Sequence, residues 1–226
     1  AASLEEASEH PIAKAIVSYA KKNNIKIMKI EKFKILRGRG VEAFINKKKA
    51  VIGNRKLMDE EKIGIKEIDE KMKNLENQGK TVMVVAFEKK ILGIIGVADT
   101  LKPESKEAIS ELNNMGFKTI MITGDNERTA NAIAKLIGIS EILADVLPEE
   151  KVKKVKELQE KAMVAFVGDG INDAPALKQS NVGIAIGTGT DIAIESGDIV
   201  LAKGSLMGVV QAIKLSKATF KKIKQN

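Results

Sequence analysis

The residues best suited to chemistry are two carboxylates, Asp169 and Asp173, which lie four positions apart in the segment GDGINDAPAL. The apolar run at residues 163–167 precedes them and is typical of a buried parallel strand. Open α/β sheets bind ligands at the carboxyl edge of their strands. Carboxylate oxygens suit Mg²⁺, a hard cation that is commonly bound beside a substrate phosphate. The segment therefore predicts a magnesium site that takes part in phosphoryl transfer.

A second strand exit carries a hydroxyl group. Thr123 lies in the string MITGDN, in which an apolar strand is followed by a polar turn and a helix. A hydroxyl at this place, together with the N–H groups of the helix start, can hold phosphate oxygens. The alternative is an ordinary strand exit in which Asp125 or Asn126 caps the helix. The residue types alone leave the two interpretations open.

A third strand exit carries a cation. Lys151 lies in the string LPEEK, which opens another helix. It is suited to neutralising phosphoryl charge, but an isolated lysine in a Lys-rich helix is more often a surface residue. Thr123, this lysine and the two carboxylates fall at the ends of three successive strands of one predicted sheet, so one crevice would collect them. A hydroxyl, a cation and a Mg²⁺ site are the set that phosphoryl transfer needs.

The second half of the chain would position these residues through a regular alternation of helices and strands. This alternation predicts an α/β fold, with a parallel sheet that carries helices on both faces. The predicted helices cover residues 103–115, 128–136, 149–160, 173–179, 191–196 and 206–224. The predicted strands cover residues 118–122, 141–144, 163–167, 182–186 and 198–201. The last helix is expected to pack on the sheet through Leu206, Val209, Val210, Ile213 and Leu215, and its alternative is a helix on a membrane surface.

The first half has a different pattern, which predicts an antiparallel sheet with a few helices in an α+β arrangement. Ser3 and Glu6 match a capping box, and Pro11 is expected to begin a second helical segment. The predicted helices cover residues 3–23 and 66–76. The predicted strands cover residues 27–36, 41–45, 50–52, 82–87 and 91–97. The change of pattern places a domain boundary between residues 98 and 99.

Composition excludes several classes of function. The chain has no cysteine, so it can form neither a disulfide framework nor a thiolate metal site. No apolar run approaches the roughly 20 residues of a membrane-spanning helix. Aromatic residues make up only 3% of the chain and Trp is absent, which argues against a nucleic-acid partner that is bound by base stacking. The net charge of +8 lies entirely in residues 1–97, where it would attract ATP or simply form a solvated surface.

The strings GDGINDAPAL and MITGDN resemble those of the P-type ATPases that pump soft metals. The second half thus resembles the phosphorylation domain of that family, which has a parallel, Rossmann-like (haloacid-dehalogenase-like) fold, and the resemblance implies ATP and Mg²⁺ as cofactors. The catalytic residues that it implies are Thr123, Gly124, Asp125, Lys151, Asp169, Asn172 and Asp173. In this set Asp169 binds Mg²⁺, while Asn172 and Asp173 order the magnesium site. The lysine contacts the phosphoryl group and the threonine hydrogen-bonds it.

The first half resembles the nucleotide-binding domain of the same pumps. Residues 8–11 match the SEHP signature, residues 38–40 match a GxG turn and residues 53–54 match a GN pair. The nucleotide-binding residues that the resemblance implies are Glu5, His10, Gly38, Gly40, Gly53 and Asn54. They would contact the adenine moiety rather than do chemistry. Without the resemblance, the lone histidine and the glycines would be ordinary structural and turn residues.

The resemblance also implies a place for the chain within a larger pump. Residues 185–195 resemble the copper(I) pumps more than the zinc and cadmium pumps, and residues 99–103 resemble the family's hinge between its two catalytic domains. The chain is therefore expected to be a cytoplasmic part of an integral membrane protein. Its expected partners are ATP and the membrane and actuator domains of the same pump, and no soft-metal site is expected in these residues.

The family's nucleophile motif, Asp-Lys-Thr-Gly-Thr, is absent from the sequence. We therefore expect residues 1–98 to form a nucleotide-binding domain that is incomplete at its start, and residues 99–226 a phosphorylation domain without its first strand and nucleophile. Asp99 is not a substitute, because phosphatases of this superfamily need an Asp two positions later, where this chain has Leu101. Such a chain would bind ATP without turnover. A soluble dehalogenase-fold phosphatase and a nucleotide-binding module without chemistry are the alternatives.

Overall fold

Two units with different architectures make up the computed structural model. They consist of residues Ala1–Asp99 and Thr100–Asn226. The structure describes residues 1–8, 10–98, 101–169, 173–187 and 195–225. The predictions for Asn172, for Asp99, for Glu9 of the SEHP string and for most of residues 185–195 therefore lie outside the described residues.

The first unit contains a five-stranded antiparallel sheet, as predicted, in which the strands follow one another in chain order. The strands are β1 (Glu31–Leu36), β2 (Gly40–Ile45), β3 (Lys48–Gly53), β4 (Lys80–Phe87) and β5 (Lys90–Ala98). Strand β1 begins four residues later than predicted, and its register shifts between Glu31 and Lys34. Strand β3 begins earlier, because Asn46 and Lys47 take φ of 51° and 64° and close a two-residue hairpin turn.

The helices of the first unit are α1 (Ala2–Glu5), α2 (Pro11–Lys22), α3 (Arg55–Glu60) and α4 (Asp69–Glu76). Pro11 begins α2, as predicted. The predicted capping box at Ser3 is wrong, because α1 already begins at Ala2, and the Ser3 hydroxyl instead accepts a hydrogen bond of 3.0 Å from the Met28 N–H. Helix α3 was not predicted from the sequence.

Each face of the antiparallel sheet packs against a separate pair of helices. Strand β4 shows the arrangement, because its alternate residues point to opposite faces. Val82, Val84 and Ala86 pack in one cluster with residues of α3 and α4, such as Met58 and Met72. The intervening residues Met83, Val85 and Phe87 pack against the opposite cluster, which contains Leu4 of α1 and Ile16 of α2.

The second unit alternates helices with short parallel strands. Its strands are β6 (Ile120–Ile122), β7 (Glu141–Leu143), β8 (Ala165–Gly168), β9 (Val182–Ile186) and β10 (Ile199–Leu201). Its helices are α5 (Glu104–Asn114), α6 (Glu127–Ile137), α7 (Pro148–Gln159), α8 (Ala174–Gln179) and α9 (Met207–Gln225). All strand pairs in this unit are parallel among the described residues, which confirms the predicted α/β architecture.

Strand pairing in the second unit differs from the prediction of one sheet. Strands β6 and β7 form a two-stranded sheet, and β8, β9 and β10 form a separate three-stranded sheet. The alternation of elements records strand direction but not which strands share hydrogen bonds, so the sequence did not reveal this division. Ile122 of β6 nevertheless packs against the apolar cluster that contains Phe166 of β8 and Val155 of α7.

Helix α9 is packed over only part of its length. Val209 and Val210 are buried against α5, in a cluster that also takes in Leu206 and Ile213, as predicted. The expectation that Leu215 also packs is wrong, because 70% of this residue is exposed. Among the described residues, no helix has the length and apolar character needed to cross a membrane.

Candidate functional site

The exits of β6 and β7 are joined by a network of backbone and hydroxyl hydrogen bonds around Thr123. The Thr123 N–H donates to the Leu143 carbonyl at 3.0 Å, and the Val146 N–H donates to the Thr123 carbonyl at 3.0 Å. The Thr123 hydroxyl oxygen accepts from the Asp125 N–H and donates to the Asp125 carboxylate, both at 3.1 Å. The hydroxyl is therefore held at the strand exit by the turn that follows it.

The cap of helix α6 is Asn126 rather than Asp125. The Asn126 side-chain oxygen accepts from the N–H groups of Arg128 and Thr129, both at 3.1 Å. This arrangement satisfies two of the N–H groups that a helix start leaves unpaired. Asp125 therefore does not cap the helix and instead bonds the Thr123 hydroxyl. Both side chains thus lie together at the strand exit.

Lys151 is not a surface lysine. Its ammonium group contacts the Asp173 carboxylate at 2.6 Å, and the two side chains are only 17% and 12% exposed. Helix α7 places the lysine there, because Pro148 begins the helix and the Glu150 carboxylate accepts from the Leu147 N–H at 3.0 Å. The predicted cation and one of the two predicted carboxylates therefore meet at the exits of β7 and β8.

The glycine before the first carboxylate makes room for the second. A Cβ atom on Gly168 would lie 2.6 Å from an Asp173 carboxylate oxygen. Asp173 directly precedes α8, and its backbone carbonyl accepts from the N–H groups of Ala176 and Leu177 at 2.9 and 2.8 Å. The helix start thus holds the Asp173 backbone, Gly168 leaves room for its side chain, and Lys151 bonds its carboxylate.

The donors at these strand exits fit Mg²⁺ in type. Carboxylate and hydroxyl oxygens are its preferred protein ligands, and the ion usually keeps several waters and binds one or two carboxylates beside a phosphate. Over residues 1–8, 10–98, 101–169, 173–187 and 195–225 there is no group of three or more His, Cys, Asp or Glu side chains placed to hold a metal. Water and phosphate oxygens are the further ligands that Mg²⁺ commonly takes in such sites.

The predicted glycines of the first unit face each other across two strands. Gly40 of β2 pairs with Gly53 of β3. A Cβ on Gly40 would lie 2.1 Å from the Ile52 carbonyl oxygen, and one on Gly53 would lie 2.2 Å from the Arg39 carbonyl oxygen. Gly38 and Gly40 also take φ of 68° and 145°, which side chains disfavour. The backbone approach therefore requires glycine at both paired positions.

Asn54 joins the two glycine segments into one site. Its side-chain amide donates to the Gly38 carbonyl at 2.9 Å, and its backbone N–H donates to the Arg39 carbonyl at 2.9 Å. Its side-chain oxygen accepts from the Leu57 N–H at 3.2 Å and so caps α3. The Arg39 guanidinium reaches the far end of the same helix and bonds both Glu60 carboxylate oxygens at 2.7 Å.

Arg39 and Glu60 were not predicted as part of this site, and neither was α3, which positions Glu60. An Asn directly before the string RKLMDE was the available signal, because Asn is a preferred residue at a helix start. The string itself spans only six residues. That length is too short for a helical periodicity to show.

Glu5 is the last residue of α1, and His10 directly precedes α2. Leu4, next to Glu5, packs in the cluster with Val41 and Ile52, which are neighbours of the paired glycines. Glu5 is 5% exposed, and burial raises the pKa of its carboxyl, with a smaller opposing effect from the amino terminus. His10 caps α2 by accepting from the Ile12 N–H through Nδ1 at 3.3 Å. This leaves Nε2 of the exposed ring as its N–H donor.

Sequence comparisons relate the whole chain to known proteins. Two models of haloacid dehalogenase-like hydrolases match it, one over residues 1–181 and the other over residues 150–213. The chain is 49% identical to a copper-exporting P-type ATPase of Staphylococcus haemolyticus (strain JCSC1435) and 48% identical to one of Staphylococcus aureus (strain JH9). Each alignment covers 100% of this chain and 28% of the relative, so the chain spans little more than a quarter of their length.

Solved structures show the same fold. A zinc-transporting PIB-type ATPase in its E2.Pi state is 42% identical, with a TM-score of 0.66 over 99% of this chain and 36% of that protein. The catalytic domain of the CPx-ATPase CopB-B, whose conformational changes were studied upon nucleotide binding, is 31% identical. Its TM-score is 0.70, and the match covers 94% of this chain and 76% of that domain.

Proposed function

Because the chain belongs to the haloacid dehalogenase-like hydrolases and, within them, to the P-type ATPases, we propose that it is the ATP-binding catalytic part of a copper-transporting pump. The observation that carries the proposal is the pairing of Lys151 with Asp173 at the exits of β7 and β8. A cation and a carboxylate that are held together there have little exposure to solvent, which strengthens their interaction with a phosphoryl group and its Mg²⁺.

Residues 1–98 bind the nucleotide in this proposal. The paired glycines bring the backbone of residues 38–40 and 53–54 close together, and we assign the surface that this backbone forms to the adenine ring. With Nδ1 of His10 accepting from the Ile12 N–H, the Nε2–H is the ring's donor at the entrance of α2. Glu5 supplies a buried carboxylate on the neighbouring helix. The backbone groups, the His10 N–H and the Glu5 carboxyl together fix the orientation of the base. The phosphate groups are bound by other residues.

Residues 99–226 hold the phosphoryl group. The Thr123 hydroxyl donates to a phosphate oxygen, and Lys151 moves from Asp173 to the transferring group as its negative charge develops. Asp169 would hold Mg²⁺ and Asp173 would order the magnesium site, and the ion would neutralise phosphate charge when bound. Asp125 keeps the threonine hydroxyl in place throughout.

The nucleophile in this proposal is the aspartate of an Asp-Lys-Thr-Gly-Thr motif, which is not found among the 226 residues. Its carboxylate would attack the γ-phosphorus and release ADP, and water would later hydrolyse the aspartyl phosphate. The 226-residue chain therefore binds ATP without turnover. The transported ion is copper(I), by analogy with the copper-exporting relatives, and the chain works in the cytoplasm beside the membrane and actuator domains of its pump.

The test is calorimetric titration of the chain with ATP, combined with incubation with γ-labelled ATP and Mg²⁺. We expect saturable binding, weakened about tenfold or more in His10→Gln because the imidazole N–H is lost from its position, which corresponds to about 1.4 kcal/mol. Glu6→Gln, an exposed change directly after α1, is the matched control. We also expect no acid-stable, hydroxylamine-sensitive label.

Three results would contradict this assignment. Stoichiometric labelling of the chain would show that it carries its own nucleophile. Release of phosphate from small esters that is abolished by Asp99→Asn would identify a soluble phosphatase instead. ATP binding that is unchanged in His10→Gln would remove the proposed nucleotide site from α2.

A further inference from the structure

The last residue of helix α4 is a carboxylate that is almost completely shielded from solvent. The Glu76 side chain is only 1% exposed, and its carboxylate forms an ion pair with the guanidinium of Arg55, the first residue of α3. A charge placed in a protein interior costs free energy, which a paired and hydrogen-bonded countercharge offsets. The pair therefore joins the end of α4 to the start of α3.

The Arg55 guanidinium also holds the other end of α4. Its Nε and Nη2 groups donate to the same carboxylate oxygen of Asp69, the first residue of α4, at 3.3 and 2.9 Å. Lys73 bonds the other carboxylate oxygen of Asp69 at 2.8 Å. A planar guanidinium fixes direction as well as distance, because its donors lie in a rigid fork. The start of α3 is thus held against both ends of α4.

Helix electrostatics alone do not explain where these charges lie. The start of a helix favours a negative charge, and its end favours a positive one. Arg55 nevertheless stands at the start of α3, and Glu76 stands at the end of α4. Stability does not in general require such a pair, since apolar residues of similar volume often replace a buried ion pair without loss. What the ion pair supplies, and apolar packing would not, is a defined orientation of the α3 start.

The start of α3 carries a residue of the candidate nucleotide site. Asn54 directly precedes Arg55, and its side-chain oxygen caps the helix by accepting from the Leu57 N–H at 3.2 Å. The same side chain donates to the Gly38 carbonyl at 2.9 Å and so links α3 to the turn before the paired glycines. A shift of the α3 start would move both groups of the Asn54 side chain together. The contacts that fix Arg55 therefore also fix Asn54.

We propose that Glu76 is a positioning residue for the nucleotide site. It acts through Arg55, which sets the start of α3 and thereby holds the Asn54 side chain against the turn at Gly38. Glu76 itself does not contact the nucleotide. This role rests on the proposed assignment of residues 38–40 and 53–54 to the adenine moiety. It adds α4 to the elements that shape that site.

The nucleotide affinity of the 226-residue chain tests this role. In Glu76→Gln the side chain keeps its size and one acceptor but loses its charge, so its hold on the guanidinium weakens. We expect the affinity for ATP to fall about fivefold or more, which is the effect of losing about one hydrogen bond. Arg55→Lys should give a similar loss, because lysine keeps the charge but cannot bridge two carboxylates in a fixed geometry.

The matched control is Glu70→Gln. Glu70 also lies on α4, where it pairs with Lys73 at 2.8 Å, and its side chain is 79% exposed. Removing this equal charge should change the ATP affinity by less than about twofold, because exposed ion pairs contribute little. Far-UV circular dichroism shows which variants are folded, and Arg55→Lys still decides the question if Glu76→Gln does not fold.

The choice of ligand separates positioning from direct contact. A misplaced Asn54 weakens the adenine site, so adenosine and ATP should lose affinity by the same factor in Glu76→Gln. If the Arg55 guanidinium itself held the phosphate groups, ATP alone would lose affinity. Titrations of the parent and of each variant with both ligands, followed by NMR, measure the two factors.

Amide hydrogen exchange tests the positioning without any nucleotide. The Leu57 N–H donates to Asn54, so a loosened α3 start should speed its exchange about fivefold in Glu76→Gln. Val84 is fully buried on β4, which has a strand on either side, so its N–H reports on unfolding of the whole unit. Exchange should accelerate more at Leu57 than at Val84, and Glu70→Gln should leave both rates unchanged.

Three results would overturn this role. The first is an ATP affinity in Glu76→Gln and Arg55→Lys that equals that of the parent. The second is a loss confined to ATP, with adenosine unaffected. The third is an acceleration at Leu57 no greater than at Val84, which would mean that the pair only stabilises the unit. A parent chain that binds neither ligand would instead refute the nucleotide site itself, and the role of Glu76 would fall with it.

Discussion

The two candidate sites of this chain are built from different materials. The site in the first unit is made of backbone, with Gly40 and Gly53 in contact across two strands and Asn54 bonded to the turn before them. The site in the second unit is made of charged side chains, with Lys151 held by Asp173. A site made of backbone recognises shape, whereas a site made of charges recognises charge. The difference agrees with the proposal that the first site binds an aromatic base and the second a phosphoryl group.

The same difference determines how each site tolerates change. Where two backbones touch, even one added methyl group meets atoms that cannot move aside. Where a lysine meets a carboxylate, a substitution removes an interaction but leaves the surrounding strands free to keep their positions. We therefore expect the backbone site to respond most strongly to added volume and the charged site to respond to lost charge.

The largest effect is expected for Gly40→Ala. The new Cβ would lie 2.1 Å from the Ile52 carbonyl oxygen at a residue whose φ is 145°, so strand β2 must move or the pairing must break. The expected loss in the free energy of unfolding is about 3 kcal/mol or more, measured by urea denaturation of the first unit. Gly64→Ala is the control, because no atom lies within 4 Å of its Cβ. Equal free energies of unfolding for the two variants would mean that the close approach of strands β2 and β3 is unimportant.

An intermediate effect is expected for the charged pair. A double-mutant cycle with Lys151→Met and Asp173→Asn should give a coupling energy of about 1–3 kcal/mol in the unfolding of the second unit, because the pair is largely shielded from water. Lys154 and Glu157 on the same helix form a matched pair at 2.9 Å that is exposed to solvent. Their coupling should be about 0.5 kcal/mol or less. Equal coupling in the two cycles would refute a special role for the Lys151 pair.

The smallest effect is expected for Glu5→Gln, and it depends on pH. Burial raises the pKa of Glu5 above its ordinary value of 4.5, so the folded state holds this proton more tightly than the unfolded state. As pH rises above 4.5 and through the raised pKa of the folded state, ionisation of Glu5 therefore lowers the stability of the fold. By calorimetry, Glu5→Gln should melt at a higher temperature than the parent at pH 8, and the gap should close in acid. A difference in melting temperature that grows in acid would contradict this prediction. Glu6→Gln is the exposed control.

Part of this architecture could be predicted from the sequence, because it depends on residue patterns within short stretches of the chain. The hairpin of β4 and β5 and the alternation of the second unit were predicted because their apolar periods are long and uninterrupted. Helix α3 was missed because six residues are too few to show a period. Leu215 was assigned to the packed face of α9, but the helix extends beyond the unit that supports its first turns.

The sequence by itself determined which kinds of residue stand at the strand exits, namely a hydroxyl, a cation and two carboxylates. Only the tertiary structure decided that Lys151 pairs with Asp173, that Gly40 faces Gly53 and that β6 and β8 belong to separate sheets. These contacts join residues far apart along the chain, and they depend on strand register and on the seating of helices. A local pattern of residue types records neither, because the same pattern is compatible with several registers.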